Sequence, residues 1–368
     1  MKDISKKYKI NQSYKNSENN LNPINIRFLK DIVNDSFSKY WIDNMFCLFK
    51  SINDILYLIY PKDNSIICYN IIDDKKIIEI KNAHYRTICN FRNYLDKKNK
   101  RDLIISISPD DNNLKLWDAH TWDCLVNIEK VNQDGYLWSA CLLNDNNNIY
   151  IVTSNYIGKR RFKETSNLKL FDLKGKIVKV LKDSNYDTSF IDIYYDYNKF
   201  KSYKIYIIAG NESYISSYDF NQNKIYHKYS DFDTRTHNSI IINNEEIVKM
   251  IESSCDGHIR IWNFHSAQLL KKIKVSDEFL KGICLWDNEY LFSACQDNTI
   301  KLIDLKNGKI IKNLEGHKDY VLTIKTIIHP IYGKCLVSKG DNKEIKLWIK
   351  DNFNNYPLNI FIFIILFF

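Results

Sequence analysis

The segment Asp297–Val321, DNTIKLIDLKNGKIIKNLEGHKDYV, holds two short alternating runs, TIKLID and KIIKNL, separated by Asn307-Gly308. It closes on a Gly316-His317 pair that leads into a further apolar stretch. Alternation with a period of two marks a strand with one face buried. Asn-Gly between two such runs is a strong local signal for a tight hairpin.

The pattern returns along the chain. Runs ending in an aromatic or apolar residue, mostly followed by Asp or Asn, occur as SIICYN (Tyr69-Asn70), NLKLWD (Trp117-Asp118), NLKLFD (Phe171-Asp172) and YISSYD (Tyr218-Asp219). They continue as HIRIWN (Trp262-Asn263), TIKLID (Ile303-Asp304) and EIKLWI (Trp348-Ile349). The steps between the key residues are 48, 54, 47, 44, 41 and 45. A regular period of this size, with room for four short strands separated by turn clusters such as NDNNN, is the signature of a stacked repeat fold.

Composition agrees with an all-β chain. Of 368 residues, 45% are apolar and 14% aromatic, enough to bury a large core, and 10 Gly and 5 Pro exclude collagen-like or linker-rich chains. The formal charge of +9 is dispersed, with no long basic tail of the kind that grips nucleic acid. Nine cysteines lie at irregular spacings without a C-x-x-C, mostly inside apolar runs. Buried reduced thiols in a cytoplasmic (or nuclear) protein are expected, rather than a disulfide frame or zinc site. The first residues lack the apolar core of a secretory signal.

Seven motifs in register, with Gly-His-like pairs upstream, resemble the WD-repeat β-propeller family over roughly residues 23–350. The resemblance implies an all-β, seven-bladed propeller of four-stranded antiparallel blades closed around a channel. It makes TIKLIDL the third strand of blade six and KIIKNL its outer strand, with Gly316-His317 crossing into blade seven. It also implies a buried polar cluster in each blade, in which an Asp holds a His, the His meets a hydroxyl, and the hydroxyl meets the Trp indole. Blade five offers His237, Ser254, Asp256 and Trp262; blade seven offers His317, Ser338, Asp341 and Trp348. Blade two keeps His84, Asp111 and Trp117, with Pro109 read at the hydroxyl position. The other blades are degenerate.

In such propellers an N-terminal strand often completes the last blade. Residues 24–29 (INIRFL) are the favoured candidate here, with the apolar C-terminal tail 351–368 competing for the place. That tail ends in LNIFIFIILFF, about half the length of a membrane-spanning helix. A stray strand, a surface anchor and a mispredicted gene end all remain open for it. Residues 1–22 are expected to be disordered.

No chemistry assembles from the motifs. The chain has no G-x-S-x-G, no phosphate-cradling G-x-x-x-x-G-K-[ST] or G-x-G-x-x-G, and no H-E-x-x-H among its eight histidines. SCDGHIRIW departs from the sialidase-type Asp box because Gly257 directly follows Asp256. The expectation is a noncatalytic scaffold without cofactor, metal or membrane span, binding other proteins within a larger complex. By the resemblance, residues entering each first strand reach the narrow top face. They are repeatedly aromatic: Tyr85, Tyr136, Tyr186, Phe279 and Tyr320, with Trp138, Lys281 and Leu322 two residues further on. Aromatic residues dominate interface hot spots. The runner-up is binding of RNA or anionic lipid by the basic segment 158–163, GKRRFK.

Overall fold

The computed structural model describes residues 24, 26–34, 46–132, 135–154, 168–181, 188–197, 202–244, 246–342 and 344–351. The tail 1–22, the basic segment 158–163, Tyr186 and residues 352–368 lie outside them. The described strands form seven four-stranded antiparallel sheets, six of them built from four consecutive strands. The first strands of successive blades touch in order around the molecule, and Cys47–Lys50 of blade one also touches Val321–His329 of blade seven. The sheets therefore close into a ring. It is an all-β, seven-bladed propeller.

Period-two alternation explains the packing. In blade two, Leu103, Ile105 and Ile107 join the apolar cluster shared with blade three. Ile104, between them, joins the cluster shared with blade one. Both faces of an inner strand are thus buried, which is why such strands read as nearly continuous apolar runs. Each interface between neighbouring blades carries one such cluster. Outer strands such as Lys75–Ile80 are largely exposed.

The residue after the Trp-like position has a clear local role in six of the seven blades; the exception is Ile349. Asp304 Oδ1 accepts the Asn307 amide at 2.9 Å, and Gly308, at φ 69°, donates its amide to the Asp304 carbonyl at 2.8 Å. This is the hairpin that the Asn-Gly pair encodes. Asn70, Asp118, Asp172, Asp219 and Asn263 accept turn amides in the same way. A short acceptor at that point satisfies backbone donors that the turn would otherwise leave unpaired.

The seventh sheet is composite. Ile26–Asn34 pairs antiparallel with Glu344–Lys350, from Ile26↔Lys350 to Asn34↔Glu344, and becomes its outer strand. The strand runs past Leu29 to Asn34 and breaks register twice. Phe28 meets Trp348 edge-on with centroids 5.7 Å apart, and Lys346 Nζ donates to Asp31 at 2.6 Å. Ile26 is 1% exposed inside the cluster between blades six and seven, and its carbonyl accepts Lys312 Nζ at 3.0 Å. Among the described residues no helix is long and apolar enough to cross a membrane.

Replacing Ile26 by Ala should lower stability by about 2–5 kcal/mol, because the cavity opens where the two ends of the chain meet. Val178→Ala on the exposed outer strand of blade three should change it by no more than about 0.5 kcal/mol. Urea unfolding of the two variants checks the difference.

Candidate functional site: the polar clusters and the loop face

The histidine–hydroxyl–indole part of the polar cluster forms in blades two and seven. In blade seven, Ser338 Oγ lies 2.6 Å from His317 Nε2 and accepts the Trp348 indole at 2.7 Å. Blade two repeats this with Ser106: 2.7 Å to His84 Nε2 and 2.8 Å from Trp117 Nε1. The hydroxyl position of blade two is thus Ser106, not Pro109. Asp111 does not hold His84; it accepts the Arg86 amide at 2.9 Å, and His84 Nδ1 has no hydrogen-bond partner among the described residues. His317 Nδ1 likewise has none, so Asp341 does not hold His317; the Asp341 amide instead donates to the Tyr320 carbonyl at 2.8 Å.

Blade five corrects the expectation more deeply. Strand pairing places Met250 opposite Trp262 and Glu252 opposite Arg260, so Glu252 occupies the position held by Ser338 in blade seven. Ser254 is instead engaged by Asp256 (2.5 Å) and by Arg260 Nη1 (2.8 Å). The Trp262 indole is buried with no hydrogen-bond partner among the described residues. His237 Nε2 faces Lys281 Nζ at 2.9 Å and Cys255 Sγ at 3.0 Å. Arg260, fully buried, gathers Glu252 (3.2 Å), Asp231 (3.1 Å) and Asp256, and stacks 4.9 Å from the Phe232 centroid. Burial pushes the Glu252 carboxyl up to about 8 despite the Arg260 charge. Burial also acts to raise Asp256, but hydrogen bonds from Arg260 and Ser254 outweigh it and hold that carboxyl below the usual range. This is a buried ion cluster replacing a hydroxyl-centred one.

The described members of the aromatic series, Tyr85, Tyr136, Phe279 and Tyr320, sit in segments that enter first strands and so share one end of the ring. Tyr85 is 82% exposed, Tyr136 49% and Phe279 43%, while Tyr320 is half-buried. Leu322 is fully buried in blade seven and cannot reach a partner. Trp138 is half-buried against the cluster between blades two and three. A cavity of about 390 Å³ opens here, with Trp138, Arg235, His237, Cys255, Phe279 and Lys281 in its wall. Lys281, only 4% exposed, projects its amine onto His237 within that wall. Arg235, 3.4 Å from Glu212, was not foreseen in the sequence, because it precedes its strand without any aromatic marker.

Among the described residues no group of three or more His, Cys, Asp or Glu could hold a metal ion, and none of the nine cysteines is in a disulfide. Seven of the thiols are buried.

No family model matches the chain. The U3 small nucleolar RNA-associated protein 21 homolog of Schizosaccharomyces pombe is 23% identical over 99 residues, 27% of this chain and 11% of that protein. The probable coatomer subunit beta' of the same organism is 25% identical over 113 residues, 30% of this chain and 14% of that one. Myosin heavy chain kinase C of Dictyostelium discoideum is 31% identical over 68 residues, 18% of this chain and 8% of the kinase. The matches thus cover between 8% and 14% of these relatives' lengths. Among solved structures, the computationally designed Ika8 protein superposes with a TM-score of 0.57 at 13% identity, covering 85% of this chain and 98% of the design. It shows the fold alone. The ring and these similarities together agree with the WD-repeat resemblance carried by the motifs.

Ser106→Ala and Ser338→Ala should each cost about 1–3 kcal/mol, since each orphans a buried indole and imidazole at once; urea midpoints read this directly. Burial pushes His84 and His317 down to about 3, with Lys115 and Lys346 acting in the same direction. The unfolded chain takes up these protons near pH 6.5 and the folded chain only near pH 3. Stability therefore falls with pH across that window, by up to about 1.4 kcal/mol per unit per histidine. Unfolding midpoints of His84→Gln between pH 7 and 5 should show the shallower slope.

Proposed function

We propose that this propeller is a noncatalytic interaction scaffold that holds partner proteins on the loop face bearing Tyr85, Tyr136, Trp138 and Phe279. The observation that carries the reading is the exposure of Tyr85, Tyr136 and Phe279 at one end of the ring, with Trp138 and Phe279 also walling a cavity there. Large rings held out of the core bring contact area at low entropic cost. Tyr320 and the buried amine of Lys281 take part at the edge of this surface, and Tyr186 belongs to the same series by sequence.

Two of the relatives are named as assembly components, a coatomer subunit and a small nucleolar RNA-associated protein. Their names support a role within a complex. The kinase match is confined to 68 residues. None of the phosphate-cradling motifs tested in this chain is present, so the kinase name supports no catalysis here.

Affinity capture from native cells, comparing the wild-type chain with Tyr136→Ala and Phe279→Ala, tests the reading. The expected result is loss of the same partners from both variants at unchanged melting temperature, with affinity lowered about tenfold or more per residue. An unchanged bound set on folded variants would remove this face as the site.

A further inference from the structure

Strand register places seven residues at equivalent positions on the first strands. They are Cys47 opposite Ile59, Arg92 opposite Ile105, Cys141 opposite Val152, Asp192 opposite Ile208, Ile240 opposite Ile251, Cys284 opposite Phe292 and Lys325 opposite Val337. Each second-strand partner lies one residue before the hydroxyl position of its blade, so the seven form a single level around the channel. Four of the seven, Cys47, Cys141, Cys284 and Ile240, are small or apolar. The exceptions are Arg92, Asp192 and Lys325.

These three line one chamber of about 410 Å³, together with Asn238, Ser239 and Thr326. It shares no lining residue with the cavity on the loop face. Its charges do not balance by contact. Arg92 crosses from blade two to donate Nη2 to the Ile191 carbonyl of blade four at 3.1 Å, while its buried Nε has no hydrogen-bond partner among the described residues. Asp192 accepts the Ile193 amide at 2.9 Å. Among the described residues Lys325 makes no hydrogen bond or ion pair, and neither Arg92 nor Asp192 is in an ion pair. Burial, with Arg92 adding to it, pushes the Lys325 ammonium below the usual lysine range. The level thus holds two cations against one carboxylate, all three half-buried.

We propose that this chamber binds a small phosphate-bearing anion, its oxygens held between Arg92 and Lys325. A guanidinium and an ammonium converging across a cavity are the usual cationic partners of a phosphate. The volume exceeds what one inorganic ion fills and lies in the range of small-molecule sites, about 300–1,000 Å³. Asn238 and Ser239 supply neutral hydrogen-bonding groups for an organic body. Asp192 disfavours ligands of high negative charge and sets the selectivity toward a compact monoester.

The test uses the full chain, with inorganic phosphate and glycerol 3-phosphate as probes, in isothermal titration and thermal melts at ionic strength matched with sodium chloride. The expected result is saturable binding of both probes, tighter for the ester, with a matching rise in melting temperature. Lys325→Met, which removes a half-buried cation with no ion-pair partner among the described residues and should keep the fold, should weaken binding at least about tenfold. Asp192→Asn should tighten it. The proposal is overturned if the wild type shows no saturable binding at millimolar probe. It is equally overturned if Lys325→Met binds as the wild type does. Should that variant fail to fold, Asp192→Asn decides, and unchanged affinity there also overturns the site.

Discussion

The antiparallel pairing of Ile26–Asn34 with Glu344–Lys350 is the interaction on which the rest of the ring depends. Every blade is apolar on both faces, so a linear stack would leave one bare face at each end. Here the two end faces meet. Phe46, Leu58 and Ile67 of blade one pack with Val337, Leu347 and Ile349 of blade seven in a single cluster. Each such side chain contributes about 1.5–3 kcal/mol when fully buried. The N-terminal strand also covers the edge that Glu344–Lys350 would otherwise expose, removing a template for pairing between molecules.

Closure has a second consequence. Because identical units meet around one axis, equivalent strand positions converge on the channel, and a departure in one repeat faces departures in others. Arg92, Asp192 and Lys325 come from blades far apart in the chain yet share one chamber. The polar clusters show the opposite behaviour, since each is confined to its own blade or the next. Ser106 and Ser338 serve blades two and seven, while Arg260 organises blade five with a buried guanidinium. Apolar interfaces are present at every junction, so the ring does not need all seven polar clusters.

The repeat, the blade count and the hairpin turns were legible in the sequence because they rest on local periodicity and turn chemistry. Asn307-Gly308 and the Asp or Asn that follows six of the seven Trp-like residues act within a few residues of themselves. The hydroxyl positions were harder to place because they depend on cross-strand register. The indole follows its serine by 11 residues in blade two and by 10 in blade seven, so a fixed offset misplaces one of them. Pro109 and Ser254 each lie eight residues before their indole, whereas the register puts the position 11 residues before it in blade two and 10 before it in blade five, at Ser106 and Glu252. On the loop face, aromatic type and position pointed to Tyr85, Tyr136 and Phe279. Leu322 shares the spacing of Trp138 and Lys281 but turns into the core. Pairs of charges contributed by different blades, such as Arg92 and Lys325, leave no mark within any one repeat.

Hydrogen exchange of the backbone amides, followed by mass spectrometry on the intact chain, tests ring closure most directly. The amides of Ile26–Asn34 should be protected together with those of Val321–His329 and open with the same free energy, since both belong to one sheet. Exchange of Ile26–Asn34 at unprotected rates, while Val321–His329 stays protected, would contradict a ring joined end to end by that strand.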